Sequence, residues 1–217
     1  MKYPRIPGLN TPIHSIFCIG KNYAKHAEEL GSKPPSSPIV FLKPLNSICF
    51  EGEQISLPKQ TSEVHHEVEL VIAIGKMGRN IPKERALEYV AGYGVGIDFT
   101  ARDIQQKAKE KGHPWSISKG FDQFAPISSF IPFDGKTFPE IVLQLTVNGN
   151  ARQKASTKDM IFNIPTLISY LSEIFTLEEG DLIFTGTPEG VSAIKAGDTV
   201  TATLDGGTTS LTVTITR

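Results

Sequence analysis

The chain has 217 residues, a formal net charge of -1, 39% hydrophobic and 21% charged residues, which suits one catalytic-sized domain over residues 1–217 with a real core. A near-zero charge argues against general nucleic-acid or anionic-membrane binding, and no segment approaches the length of a membrane span. The N-terminus lacks a charged-then-apolar leader, and Cys18 and Cys49 lie in apolar runs that read as buried thiols, so a reducing, cytoplasmic setting is expected.

In chain order, residues 15–20 read as a short apolar strand ending at a glycine. Residues 22–30 are helix formers with Asn22 placed as an N-cap and Gly31 as a stop. Lys33-Pro34-Pro35-Ser36-Ser37-Pro38 is a rigid polar connection or part of a mobile lid. Residues 39–42 read as a strand, followed by a strand containing Glu67 and a helix over about 82–89. A glycine-rich strand carrying Asp98 and a helix over 102–111 come next, and Lys107, Lys109 and Lys111 read as that helix's solvated end. Residues 141–147 lead into Asn148-Gly149, a tight-turn pair that predicts a hairpin. Ile164, Leu167, Ile168, Leu171, Ile174 and Phe175 have helical spacing, and this stripe reads as core packing. Residues 181–185, 199–204 and 210–216 read as strands joined by glycine turns. Antiparallel hairpins with few helices predict an α+β fold dominated by sheet.

The chemistry-bearing residues begin with Glu67-Val68-Glu69, which opens an apolar run. Alternation along a strand puts both carboxylates on one face. Two such acids repel by roughly 4 kcal/mol at an intermediate dielectric, and burial adds to the cost. Either a cation lies between them, or the strand end is solvated. Asp98 stands near the end of the glycine-rich strand. Brought together by neighbouring strands, the three acids would form an all-oxygen site for a hard cation, Mg²⁺ or Mn²⁺ ahead of Ca²⁺. No cysteine or histidine spacing suits zinc. His26 and Glu29 share a helix face, which suits a histidine base oriented by a carboxylate but is also common on helix surfaces. Lys119 lies in an aromatic loop, as a site residue or as a snorkelling amine. The Thr185-Gly186-Thr187-Pro188-Glu189-Gly190 turn offers hydroxyls and open amides able to hold a carboxylate, or is merely a turn.

Six ordered motifs make this chain resemble the fumarylacetoacetate hydrolase family in its short, single-domain form. They are Cys18-Ile19-Gly20-Lys21-Asn22-Tyr23-Ala24-Lys25-His26, Phe41-Leu42-Lys43-Pro44, His65-His66-Glu67-Val68-Glu69-Leu70, Gly96-Ile97-Asp98-Phe99-Thr100-Ala101-Arg102-Asp103, Lys119-Gly120-Phe121-Asp122 and the Thr185 to Gly190 turn. The resemblance implies a mixed β-sandwich roll with flanking short helices, usually a homodimer. It implies Glu67, Glu69 and Asp98 as metal ligands, and His26 with Glu29 as a water-activating dyad on a helix that orders with substrate. Lys119 would polarise a substrate oxygen, with Arg102, Gln105, Thr187 and Lys43 as substrate contacts. His65 and His66 belong to the motif, with packing roles expected. Gly120 and the 33–38 segment fall where substrate preference can vary. The implied activity is metal-dependent carbon–carbon hydrolysis of acylpyruvate-type 2,4-dioxo acids such as acetylpyruvate and fumarylpyruvate. Oxaloacetate decarboxylation or keto–enol tautomerisation at the same site is the alternative, and a non-catalytic metal-stabilised module is the third reading.

Overall fold

Alternation governs the outer layer. Val142–Val147, Thr199–Leu204 and Thr209–Thr216 each bury every second residue: Leu143 and Leu145, then Val200 and Ala202, then Leu211 and Val213. With Asn150–Ser156 and Gln54–Ser56 they form a five-stranded sheet. Its hairpin turns at Asn148 and Gly149, whose φ angles of 51° and 77° are the left-handed pair a two-residue turn requires. The computed structural model describes residues 3–29, 31 and 33–217; Leu30, the expected last residue of the first helix, lies outside these.

Beneath that layer is an eight-stranded mixed sheet. Its order is Ile39–Lys43, Ile16–Gly20, Leu182–Phe184, Val68–Ile74, Val90–Ile97, Ala125–Ile127 and Ile48–Phe50, with Ile131–Pro132 also paired to Val90–Ile97. Val68–Ile74 is buried along its whole length, as expected for a strand covered on both faces. Leu70, Ile72 and Ile74 pack in the core shared with the five-stranded sheet. Val71 and Ala73 pack on the opposite face with Ile16, Cys18 and Phe184. Ser192–Ile194, Val64–His66 and Thr100–Ala101 make a small third sheet. Both cysteines are free and buried.

The helices are α1 (Ala24–Glu29), α2 (Arg102–Lys111), α3 (Ser116–Lys119) and α4 (Ile164–Ile174). Asn163 caps α4, accepting from the Thr166 amide at 3.1 Å. Gly112 ends α2 in the left-handed region at φ 65°. Among the described residues no helix is long and apolar enough to cross a membrane. The mixed, sheet-dominated architecture expected from the sequence is present, with three local differences. The helix expected over 82–89 is a 3₁₀ turn, Lys83–Tyr89, because only seven residues separate Pro82 from the next strand. Asn22 does not cap α1: its side-chain amide donates to Phe162 O and Thr185 O, and its Oδ1 accepts from Phe162 N. Glu67 and Asp98 lie just outside the strands, Glu67 between Val64–His66 and Val68–Ile74, and Asp98 immediately after Ile97.

Candidate active site

Strand register creates the site. Val68 pairs with Ile97 and Glu69 with Gly96, and the ladder extends to an Asp98 N–H that donates to Glu67 O at 2.8 Å. Glu67, Glu69 and Asp98 therefore emerge on one face where the two strands end. Each offers a carboxylate oxygen, all within 4.8 Å of one another, and all three residues are buried. Gly96, paired with Glu69, lets Phe184 and Val71 pack directly on this strand, since a Cβ there would stand 2.7 Å from both. The solvated-strand-end alternative is therefore excluded.

Three cations answer the acids. Lys119 is 2% exposed, and its Nζ donates to Asp98 Oδ2 at 2.5 Å, Thr100 Oγ1 at 2.7 Å and Glu67 Oε2 at 2.8 Å. A snorkelling amine is thus ruled out. Arg102 pairs with Glu67 Oε1 and donates to Gln105 Oε1 at 2.6 Å and His65 Nδ1 at 3.4 Å. Lys43 stands behind Asp98, 2.8 Å from Oδ1, and donates to Phe99 O at 3.1 Å, Phe124 O at 2.9 Å and Lys119 O. Its ammonium is fully enclosed and does not line the cleft. The structure thus places Lys43 as an internal counter-charge, away from the position of a substrate contact.

These pairings set the charge states. Burial acts to raise the Glu67 carboxyl, but Lys119 and Arg102 outweigh it and hold it well below the usual range. Burial likewise favours neutral Lys119, yet Asp98 and Glu67 raise its pKa. Glu69 is different. Burial, reinforced by Asp98 and Glu67, pushes its carboxyl well above the usual range. Among the described residues no cationic side chain pairs with it, and it accepts from the Gly186 N–H at 2.7 Å. Three hard oxygen donors, one of them lacking a counter-charge, fit a divalent cation.

The remaining expected residues converge on the same cleft. It is a narrow cleft of about 20 Å³, lined by His26, Glu67, Glu69, Arg102, Gln105, Lys119 and Thr187, with Lys21, Phe41, Lys109 and Trp115 among its other walls. His26 is buried, and its Nδ1 lies 3.3 Å from Glu29 Oε2. Burial lowers the imidazole's pKa, with Glu67 and Glu29 partly opposing it, so the ring is neutral at neutral pH. The Thr185 to Gly190 turn does hold carboxylates, and both belong to the protein. Gly186 N–H donates to Glu69, and Gly190 N–H donates to Glu29 Oε1 at 3.1 Å. Gly186 turns at φ 102°, with Asn22 so close that a Cβ would stand 2.6 Å from it.

Other residues have different placements from those expected. His66 is hydrogen-bonded: Nδ1 to Gln153 Oε1 at 2.9 Å and Nε2 to Ser192 Oγ at 2.8 Å. Gln153 in turn donates to Thr187 Oγ1 at 2.8 Å, fixing that hydroxyl in the cleft. His65 bridges Glu63 and Arg102. Gly120 packs against Ser116 O and Pro44 rather than lining the cleft. Lys109 is half-buried on the cleft wall, so it is not part of a fully solvated helix end. The signal for it was present: Arg102, Gln105 and Lys109 are spaced i, i+3, i+7, one face of α2.

The fumarylacetoacetate (FAA) hydrolase C-terminal family matches residues 15–216. A protein named oxaloacetate tautomerase FAHD1, mitochondrial, from Arabidopsis thaliana is 49% identical over 192 residues, spanning 88% of this chain and 86% of its own. An oxaloacetate decarboxylase, mitochondrial, from Dictyostelium discoideum is 49% identical over 193 residues, spanning 88% of each chain. The crystal structure of fumarylpyruvate hydrolase from Pseudomonas aeruginosa in complex with Mn²⁺ and pyruvate superposes with a TM-score of 0.92. It is 40% identical and covers 98% of this chain and 94% of that one.

Proposed function

The chain belongs to the fumarylacetoacetate hydrolase family, and from that premise we propose that it interconverts the keto and enol forms of oxaloacetate. The observation that carries this is a neutral, carboxylate-oriented His26 facing the same small cleft as Lys119, Arg102 and the acid triad. The relatives at 49% identity named for oxaloacetate chemistry put that substrate ahead of the acylpyruvates. A divalent ion held by Glu67, Glu69 and Asp98, Mg²⁺ by preference, would supply Lewis-acid polarisation of the substrate's oxo group.

Arg102 and Gln105, joined side by side, and the fixed Thr187 hydroxyl are the donors for the substrate's carboxylate and oxo oxygens. Lys119 places its ammonium where negative charge develops on the 2-oxo oxygen. Glu29 accepts from His26 Nδ1, so the proton is on that nitrogen and Nε2 carries the lone pair. Nε2 takes a proton from C3, the C3–H electron pair becomes the C2–C3 double bond, and the C2=O π pair moves onto the oxygen. The imidazolium then returns its proton to that oxygen, restoring neutral His26, and no carbon–carbon bond breaks.

A second reading is supported by the fumarylpyruvate hydrolase at 40% identity. There His26 would take its proton from water, and hydroxide would add to the distal carbonyl of an acylpyruvate. The C3–C4 bond then breaks, leaving its electron pair as an enolate beside Lys119. Mg²⁺-loaded protein, offered enol-oxaloacetate, keto-oxaloacetate, acetylpyruvate and fumarylpyruvate, separates the two. We expect rapid loss of the enol absorbance without acid products of C–C cleavage, and loss of that activity in EDTA. Cleavage of an acylpyruvate with oxaloacetate equilibrating only at the buffer rate would defeat the first reading.

A further inference from the structure

Five cationic side chains approach the cleft region, and they divide into two sets. Lys43, Lys119 and Arg102 are each paired with members of the acid triad. Lys21 and Lys109 also line the cleft, and among the described residues neither has a carboxylate within ion-pair distance. Resting on the oxo-acid reading above, we propose that Lys21 and Lys109 form an outer anion subsite that takes the far carboxylate of a dicarboxylic 2-oxo acid.

Placement supports this. Arg102, Gln105 and Lys109 form one stripe along α2, all on the cleft wall. Arg102, assigned above to the inner end of the substrate, is held there by Glu67, Gln105 and His65. One turn beyond Gln105, a rise of about 6 Å, Lys109 is half-buried, with its ammonium 5.5 Å from the centroid of the Trp115 ring. That rise is comparable to the span between the carboxylates of a four-carbon diacid. Lys21 approaches from the turn between the Ile16–Gly20 strand and α1, in the left-handed region at φ 58°. A lysine rarely adopts that conformation, and such outliers gather at ligand sites. Burial, then the neighbouring Arg102 and Lys21 charges, lower the Lys109 amine to about 8. A bound carboxylate between the two lysines relieves that repulsion. The subsite favours substrates with a negatively charged far end over acylpyruvates with a neutral one.

The test compares malate with lactate, which share a 2-hydroxy acid end and differ in the far carboxylate. Calorimetry on Mg²⁺-loaded wild-type protein should show malate binding at least about tenfold tighter, the scale of one charge-assisted hydrogen bond. In the Lys21→Met/Lys109→Met double variant, malate should weaken until the preference is within about twofold, with lactate unchanged. Lys109→Arg should keep the preference. Equal binding of the two acids by wild type, a preference surviving in the double variant, or equal weakening of both acids would overturn the subsite. Because the readout is binding, a protein that prefers malate yet leaves oxaloacetate tautomers untouched sinks the proposed activity and spares the subsite.

Discussion

Glu69 lies in one strand of the eight-stranded sheet and Asp98 immediately follows the strand paired to it, and Lys43 and Lys119 brace Asp98 from two sides. His26 rides instead on a six-residue helix, too short to be stable alone. It is held from outside by the Asn22 side chain on Phe162 and Thr185 and by Glu29 on Gly190. The acid wall is thus over-determined by its scaffold, and His26, the proposed base, is positioned by a few single contacts. A charged wall must be rigid, because three carboxylates within 4.8 Å separate unless something holds them. A base that must let substrate in and out needs no such bracing.

Breaking the wall should have the largest effect. Lys43→Met leaves Asp98 and three carbonyls without their buried ammonium, so urea unfolding should show a loss of about 3–5 kcal/mol. A loss below about 1 kcal/mol would show that Lys43 is not the brace. His26→Ala attacks the other side. It should lower kcat by ~10²–10⁴ while calorimetric Mg²⁺ affinity stays at the wild-type value; lost Mg²⁺ binding would mean the two regions are not separable. Asn22→Ala removes the main tether of α1 and should cost about 1–3 kcal/mol. Hydrogen exchange should rise first in α1, and a uniform rise across the sheet would contradict the division drawn here.

The finest effect concerns Glu29, whose charge and hydrogen bond raise the His26 pKa against burial, which holds it below 6.5. The acid limb of kcat/KM should therefore lie below pH 6.5, since activity needs the neutral ring. Removing the carboxylate in Glu29→Gln lets the pKa fall further, so the limb should move to still lower pH. Movement of the limb to higher pH would remove Glu29 from the dyad.

Much of this was legible from local pattern. The hairpin around Asn148-Gly149, the Thr199–Leu204 strand and the Arg102–Lys111 helix follow from alternation, turn chemistry and helical spacing. These depend on residues adjacent in the chain. The two-residue spacing of Glu67 and Glu69 also foretold their shared face, and the motifs named the family. The roles of Lys43, Asn22 and Lys109 could not be read in the same way. Lys43, expected as a substrate contact, is instead tied to a carbonyl of Phe124, 81 residues away. The Thr185 to Gly190 turn was recognisable as an anion holder, but its anion Glu69 lies 117 residues from Gly186.

The sequence by itself determined the family, the main strands and longer helices, and the residue types gathered at the candidate site. Only the tertiary structure decided which cation neutralises which acid, leaving Glu69, among the described residues, without a cationic partner and Lys21 and Lys109 on the cleft wall. Backbone periodicity acts over one or two turns of chain, whereas Coulomb energy and desolvation depend on distance in space, which the chain's order does not encode.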